Sequence, residues 1–109
     1  MNNLLTGLGL GVLAATVAQN GFMSKFNGLR SSTHELELLH DRSPRCTAKL
    51  IRAYRAVQND LLALYSHSMR YKKTVWELAE ESGEDPKFFR RELNRAESTS
   101  KAVRRRCNL

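Results

Sequence analysis

The stretch SPRCTAKLIRAYRAVQNDLLALYSHSMRY, residues 43–71, holds no glycine and, after Pro44, no proline. Leu50, Tyr54, Val57, Leu61 and Leu64 recur within it at alternating spacings of four and three. That is the rhythm of one buried face of a helix, because side chains three and four apart stack on the same side. Ser43 as N-cap and Pro44 at the first helical position supply a start signal. The spacing therefore predicts one long helix from Ser43 to about Tyr71, with the five-residue seam inside. Arg45, Lys49 and Arg52 fall at i, i+4 and i+7, with Arg55 adjoining. A charged stripe opposite an apolar one is ordinarily the solvated side, yet four cations without a nearby anion exceed that need.

Downstream, Thr74-Val-Trp-Glu77 has the form of a capping box, the threonine hydroxyl accepting from one amide while the carboxylate reaches back to another. A short helix is expected from there to Gly83. Asp85-Pro86 then restarts a helix that runs to about Ala96, and Ser98-Thr99-Ser100 opens a tail expected to lack order of its own. Upstream, a short helix is expected from about Thr33 to Asp41. It is preceded by a stretch, Gly21 to Ser32, punctuated by Gly, Asn and Ser. The reading gives an all-α chain in four parts: an uncharged hydrophobic segment at 1–24, a linker at 25–32, a helical domain at 33–97 and a basic tail at 98–109.

Charge narrows the partners. The 109 residues carry a formal net charge of +7, which fits a polyanion, either nucleic acid or an anionic lipid surface. The balance is uneven. Eight cations between Arg42 and Lys73 face only Asp60, residues 74–97 hold seven acids against four bases, and Lys101 with Arg104, Arg105 and Arg106 closes the chain. No charged side chain precedes Lys25. As a helix those first 24 residues would extend about 36 Å, enough to cross a hydrocarbon core of about 30 Å. The apolar run from Leu4 to Ala18 is shorter than a usual span, and Gly7, Gly9 and Gly11 weaken it. It is expected either to enter a membrane or to pack as an arm against other protein subunits, copies of the same chain included.

Cys46 and Cys107 match no metal-ligand spacing. Both are read as reduced thiols in a cytosol-like compartment, with a single disulfide between them as the alternative. Catalytic patterns are absent: GLGLG follows no expected strand, and His34, Glu37 and Asp41 share a helical face of a kind that charged helix surfaces often produce. No enzyme, metal or cofactor is expected.

From Thr74 to Arg95 the chain resembles the helix-turn-helix motif. Ala79 in the first helix and Gly83 in the turn have the spacing that lets two helices cross closely, and Leu78 and Phe89 fit the apolar positions. The pattern departs at Glu84 and Glu92, where apolar residues are usual. The resemblance implies that the second helix reads DNA through Lys87, Arg90, Arg91 and Arg95. Glu77, Glu80 and Glu81 on the first helix would oppose the phosphate backbone, so a plain helical hairpin is the competing reading. Composition alone, an apolar start on a basic helical remainder, also resembles small bacteriophage virion or ejected proteins.

Three functions follow as expectations. One is a helical protein that binds nucleic acid largely without regard to sequence, through Arg45, Lys49, Arg52, Arg55, Lys87, Arg90, Arg91, Arg104, Arg105 and Arg106. Its N-terminus would anchor it at the cytoplasmic face of a membrane or in an assembly. A second is a structural virion or ejected protein packed against other subunits. A third is a membrane-associated regulator that binds a protein partner.

Overall fold

The computed structural model describes residues 9–109, with side chains from Val17 onward. Four helices follow in order: α1 (Gly9–Arg42), α2 (Ala48–Arg70), α3 (Val75–Glu81) and α4 (Pro86–Cys107). The fold is all-helical, as the periodicity requires.

The seam of α2 lies where its spacing puts it. Leu50, Val57 and Leu64 are buried completely, and Tyr54 and Leu61 pack against the same core from its edge. Its partner is α1, whose Ala18, Phe22, Phe26, Leu29, Thr33 and Leu36 are all buried. These too repeat every three or four residues and form one stripe. The two helices run antiparallel, with Ala18 beside His67 and Ser32 hydrogen-bonded to Asp60. On this pair lies α4, burying Phe89, Leu93, Ala96, Ser100 and Val103. It runs parallel to α1. Phe22 and Phe26 meet Phe89 at ring-centroid distances of 5.6 and 5.0 Å. Further along, Arg30 pairs with Glu92, Glu37 with Arg95, and Arg106 donates to the His40 carbonyl. Removing each phenylalanine from water contributes roughly 1.5 to 3 kcal/mol, so Phe22, Phe26 and Phe89 together anchor the three-helix core.

One buried carboxylate sits in this interface. Glu92 receives Arg30 at 3.3 Å and Arg95 at 2.8 Å. A buried charge is costly unless paired and hydrogen-bonded, and two guanidiniums meet that condition. The second of them also bonds Glu37, and that hydrogen bond is the leading cause of a raised Arg95 pKa. Thus Glu92, apolar by the expectation of the helix-turn-helix motif, is an acid because α1 brings Arg30 to it.

The structure departs from the sequence reading at four places. The expected linker at 25–32 lies within α1, because Phe26 and Leu29 continue the buried stripe through it. Gly21 is there for room. An added Cβ would come 2.5 Å from Cε1 of His67, whose Nε2 is 2.7 Å from the Ala18 carbonyl. Ser43 and Pro44 do not start α2. Residues 43–47 form a loop in which the Ser43 hydroxyl accepts from the Arg45 amide, and Thr47 is the N-cap, accepting from the Leu50 amide at 3.1 Å. The expected tail is the continuation of α4, since Ser100 and Val103 keep its buried stripe going to Cys107. Finally, Cys46 and Cys107 are not free thiols but a disulfide, their Cα atoms 5.2 Å apart.

The hairpin segment keeps its local signals. Thr74 and Glu77 form both bonds of the capping box. Gly83 turns the chain with φ of 82°, a left-handed value that glycine adopts without strain. An added Cβ there would meet nothing within 4 Å, so this glycine serves the turn and not a close helix crossing. Ala79 is buried and Asp85 caps α4. The expectation for Leu4 to Ala18 lies mostly outside the described residues and side chains. Among the described residues, no helix is long and apolar enough to cross a membrane.

Candidate nucleic-acid interface

Because α4 runs unbroken from Pro86 to Cys107, cations assigned separately to a reading helix and to a tail share one helix. Lys87, Arg91, Lys101 and Arg105 are spaced at i, i+4, i+14 and i+18, which a period of 3.6 keeps on one face within about 40° of a common line. All four are exposed, and Asn94 and Ser98 fill the same line between them. Arg90 and Arg104 flank it. The line is about 27 Å long at 1.5 Å per residue. It lies opposite the buried face of Phe89, Leu93, Ala96, Ser100 and Val103. Glu97, turned toward Tyr65, is the one acid on the exposed side of α4 between Lys87 and Arg105.

The disulfide adds a second group of cations to this line. Cys46 is bonded to the last residue of α4, so the loop carrying Arg45 abuts the helical turn that carries Arg104 and Arg105. Arg42 closes α1 at the same end, and Lys49 opens α2 there. Arg42, Arg45, Lys49, Arg104 and Arg105 are all exposed, and among the described residues none has a carboxylate within 4 Å. Arg52 and Arg55 are exposed on the next turns of α2. The three α2 cations do not form a single line. Successive steps of three residues rotate each by about 60° from the last, so they fan across the outer side of the helix. Arg45, expected on the same helical face, precedes the helix.

Three of the expected contact residues are otherwise engaged. Arg106 points inward and donates to the carbonyls of His40 and Ser43, closing the ends of α1 and α4 together. Arg90 lies over Trp76, its guanidinium carbon 5.4 Å from the ring centroid. Arg95, implied by the motif, is held by Glu37 and Glu92 on the α1 side. Besides Arg42, Lys101 is a contact residue that the sequence did not single out. Its signal was available, fourteen residues from Lys87 and four from Arg105, but became visible only once the tail was helical.

Most acids lie away from the disulfide end, although Asp41 stands beside Arg42 there, near His40. Lys73 binds Glu81, and Glu77 closes the capping box of α3. Glu80, Glu81, Glu84 and Asp85 gather on α3 and its turn, beside the start of α4 and away from the disulfide end. The positive field therefore strengthens along α4 toward Cys107. Among the described residues, no three His, Cys, Asp or Glu side chains converge on a metal-sized space; Glu37 of the His34, Glu37 and Asp41 set is paired with Arg95. No family model, curated protein or solved structure matches the chain.

Proposed function

We propose that this protein is a non-enzymatic nucleic-acid-binding protein that holds a phosphate backbone largely without regard to sequence. The surface is the outer face of α4 together with Arg42, Arg45 and Lys49 at the disulfide end, extended by Arg52 and Arg55. One observation carries the reading: a helix face, about 27 Å long by its rise per residue, presents Lys87, Arg91, Lys101 and Arg105 in line and widens into the unpaired cations around Cys46–Cys107. Point charges on long, mobile stems neutralise phosphates and displace counterions without reading base edges. The uncharged N-terminal segment would supply the anchorage, at a membrane or in an assembly.

The test is a salt titration on two unrelated duplexes. Removing one cation from a phosphate lowers the slope of log K against log salt by about 0.9. Replacing Arg91, Lys101 and Arg105 by Ala should flatten the slope by up to about three such steps, equally on both sequences. Unchanged affinity and slope would refute the site. Weakening confined to one sequence, produced by Lys87→Ala or Arg90→Ala, would instead restore the helix-turn-helix reading.

A second reading, a structural subunit packed against other copies, is favoured by Leu62 and Met69. They stand 66% and 77% exposed on the outer side of α2. If Leu62→Ser with Met69→Ser dissociates an oligomer seen by sedimentation, that reading gains; a monomer before and after removes it.

A further inference from the structure

The two halves of the cation group at the disulfide end come from segments far apart in the chain, and the covalent link between them, Cys46–Cys107, spans 61 residues. We infer that this disulfide is a redox latch on the polyanion surface: oxidised, it holds Arg45 and its loop against Arg104 and Arg105, and reduced, it lets them part. The inference rests on the proposed function and specifies how that same surface is regulated.

Three observations support it. First, the bond is reachable. Cys46 is exposed, in a loop with no secondary structure of its own. Second, the loop has little else to hold it. Residues 43–47 bury no apolar side chain, and their remaining tie to α4 is the Arg106 bond to the Ser43 carbonyl, at the loop's first residue. Beyond Ser43, Pro44 to Cys46 are held across to α4 by the disulfide. Third, the link is opposed by charge. Arg42, Arg45 and Lys49 on one side and Arg104 and Arg105 on the other are five cations with no carboxylate within 4 Å, so they repel once the link is cut. The body of α4 should stay in place, because Val103 and Ser100 are buried and Arg106 still bonds α1.

The chemistry closes with a dithiol reductant. One of its thiolates attacks Cys46 Sγ, in the more exposed of the two residues, and Cys107 leaves as a thiolate that takes up a proton. The second thiolate of the reductant then attacks the mixed disulfide and releases Cys46. Two electrons have moved to the protein, and the reductant has become a disulfide.

The experiment uses the full chain with a 24-base-pair duplex of arbitrary sequence as probe. Affinity is titrated against salt for the oxidised protein, for the same sample reduced with dithiothreitol, and for that sample reoxidised. Cys46→Ser with Cys107→Ser and Arg104→Ala with Arg105→Ala are carried in parallel, and far-ultraviolet ellipticity is recorded throughout. Reduction is expected to flatten the salt slope by the equivalent of one or two phosphates. Each phosphate changes the affinity ratio between 50 and 200 mM salt by about 3.5-fold, from a slope of about 0.9 apiece. Reoxidation should restore the original slope, the double serine variant should match the reduced protein, and helix content should persist. Equal slopes in both redox states, with a weakened arginine variant, would overturn the latch and leave the binding surface standing. A reduced chain that loses its helical signal would also overturn it, since the disulfide would then be a general staple. Absence of binding in either state would remove the proposed function, and the latch with it.

Discussion

Cutting Cys46–Cys107 should cost stability by a calculable amount. The bond joins positions 61 residues apart and so ties more than half of the chain into one loop. In the chain-entropy account, a closed loop of that length removes about 4 kcal/mol of conformational freedom from the unfolded state at 25 °C. The native side adds little to that figure, because the bond joins an exposed loop to Cys107 at the edge of the core, far from Phe22, Phe26 and Phe89. A domain of this size is stable by roughly 5 to 15 kcal/mol. The reduced chain should therefore remain folded with a smaller margin, and its Tm should fall by roughly 15 to 30 °C. Urea unfolding of the oxidised and reduced protein, followed by ellipticity, measures the difference directly. Cys46→Ser, Cys107→Ser and the double variant should all give the same value in the presence of reductant, since each removes one and the same bond. A difference below about 1 kcal/mol would refute the reasoning, because the unfolded chain would then gain no freedom from losing its longest tether.

Other outcomes follow from packing and titration. Leu64→Ala should cost roughly 2 to 5 kcal/mol, and Leu61→Ala less, because Leu64 is fully buried and Leu61 lies at the edge of the core; thermal melts that reverse the order would misplace the seam. Gly21→Ala should destabilise by roughly 1 to 3 kcal/mol through overpacking against His67, and His67→Ala should remove most of that penalty in a double-mutant cycle. The Tyr65 hydroxyl has a raised pKa, from burial first and then from the charge of Glu97 and a hydrogen bond to it. A folded-state pKa above the unfolded one means that this stabilisation is present below about pH 10 and lost as pH rises through the folded value. Tyr65→Phe should therefore remove part of the alkaline loss of stability, and an unchanged alkaline melting profile would contradict the assignment.

How far the chain could be read in advance depended on what carried each signal. The α2 seam and the capping box at Thr74 were legible because both are local: the first is a period of apolar side chains, the second a pair of groups three residues apart. The continuation of α1 through residues 25–32 was hidden by Gly21 and Gly28. Glycine in a helix costs about 1 kcal/mol against alanine, and here the buried stripe from Phe22 to Leu36 outweighs it. The last turns of α4 were obscured by the small or polar residues on their buried face, Ala96 and Ser100. At Ser43-Pro44 the start signal is genuine in form, but residues 43–47 instead form the loop that reaches α4 through Cys46, and Thr47 takes over the cap. The cation line shared the fate of the tail. Its members were all visible as charges, and their alignment depended on a helix whose last turns the sequence did not announce.

The direction of α4 has a consequence for how so many like charges can share one end of the molecule. Because α1 and α4 run parallel, both present their carbonyl ends beside the disulfide, where Arg42 and Arg104 to Arg106 sit in the final turns. Each such end acts as a partial negative charge of about half a unit and stabilises a nearby cation by roughly 0.3 to 1 kcal/mol. For Arg42 and Arg104 to Arg106, backbone dipoles thus do part of what carboxylates would otherwise do, while the amide end of α2 beside Lys49 works the other way. Were α4 reversed, its amide end would lie under these arginines, and acidic side chains would be needed to hold them, occupying the face a phosphate backbone requires. The detour of the chain through α2 and α3 before α4 begins is what permits the parallel pairing, and with it two carbonyl ends beneath the arginines of α1 and α4.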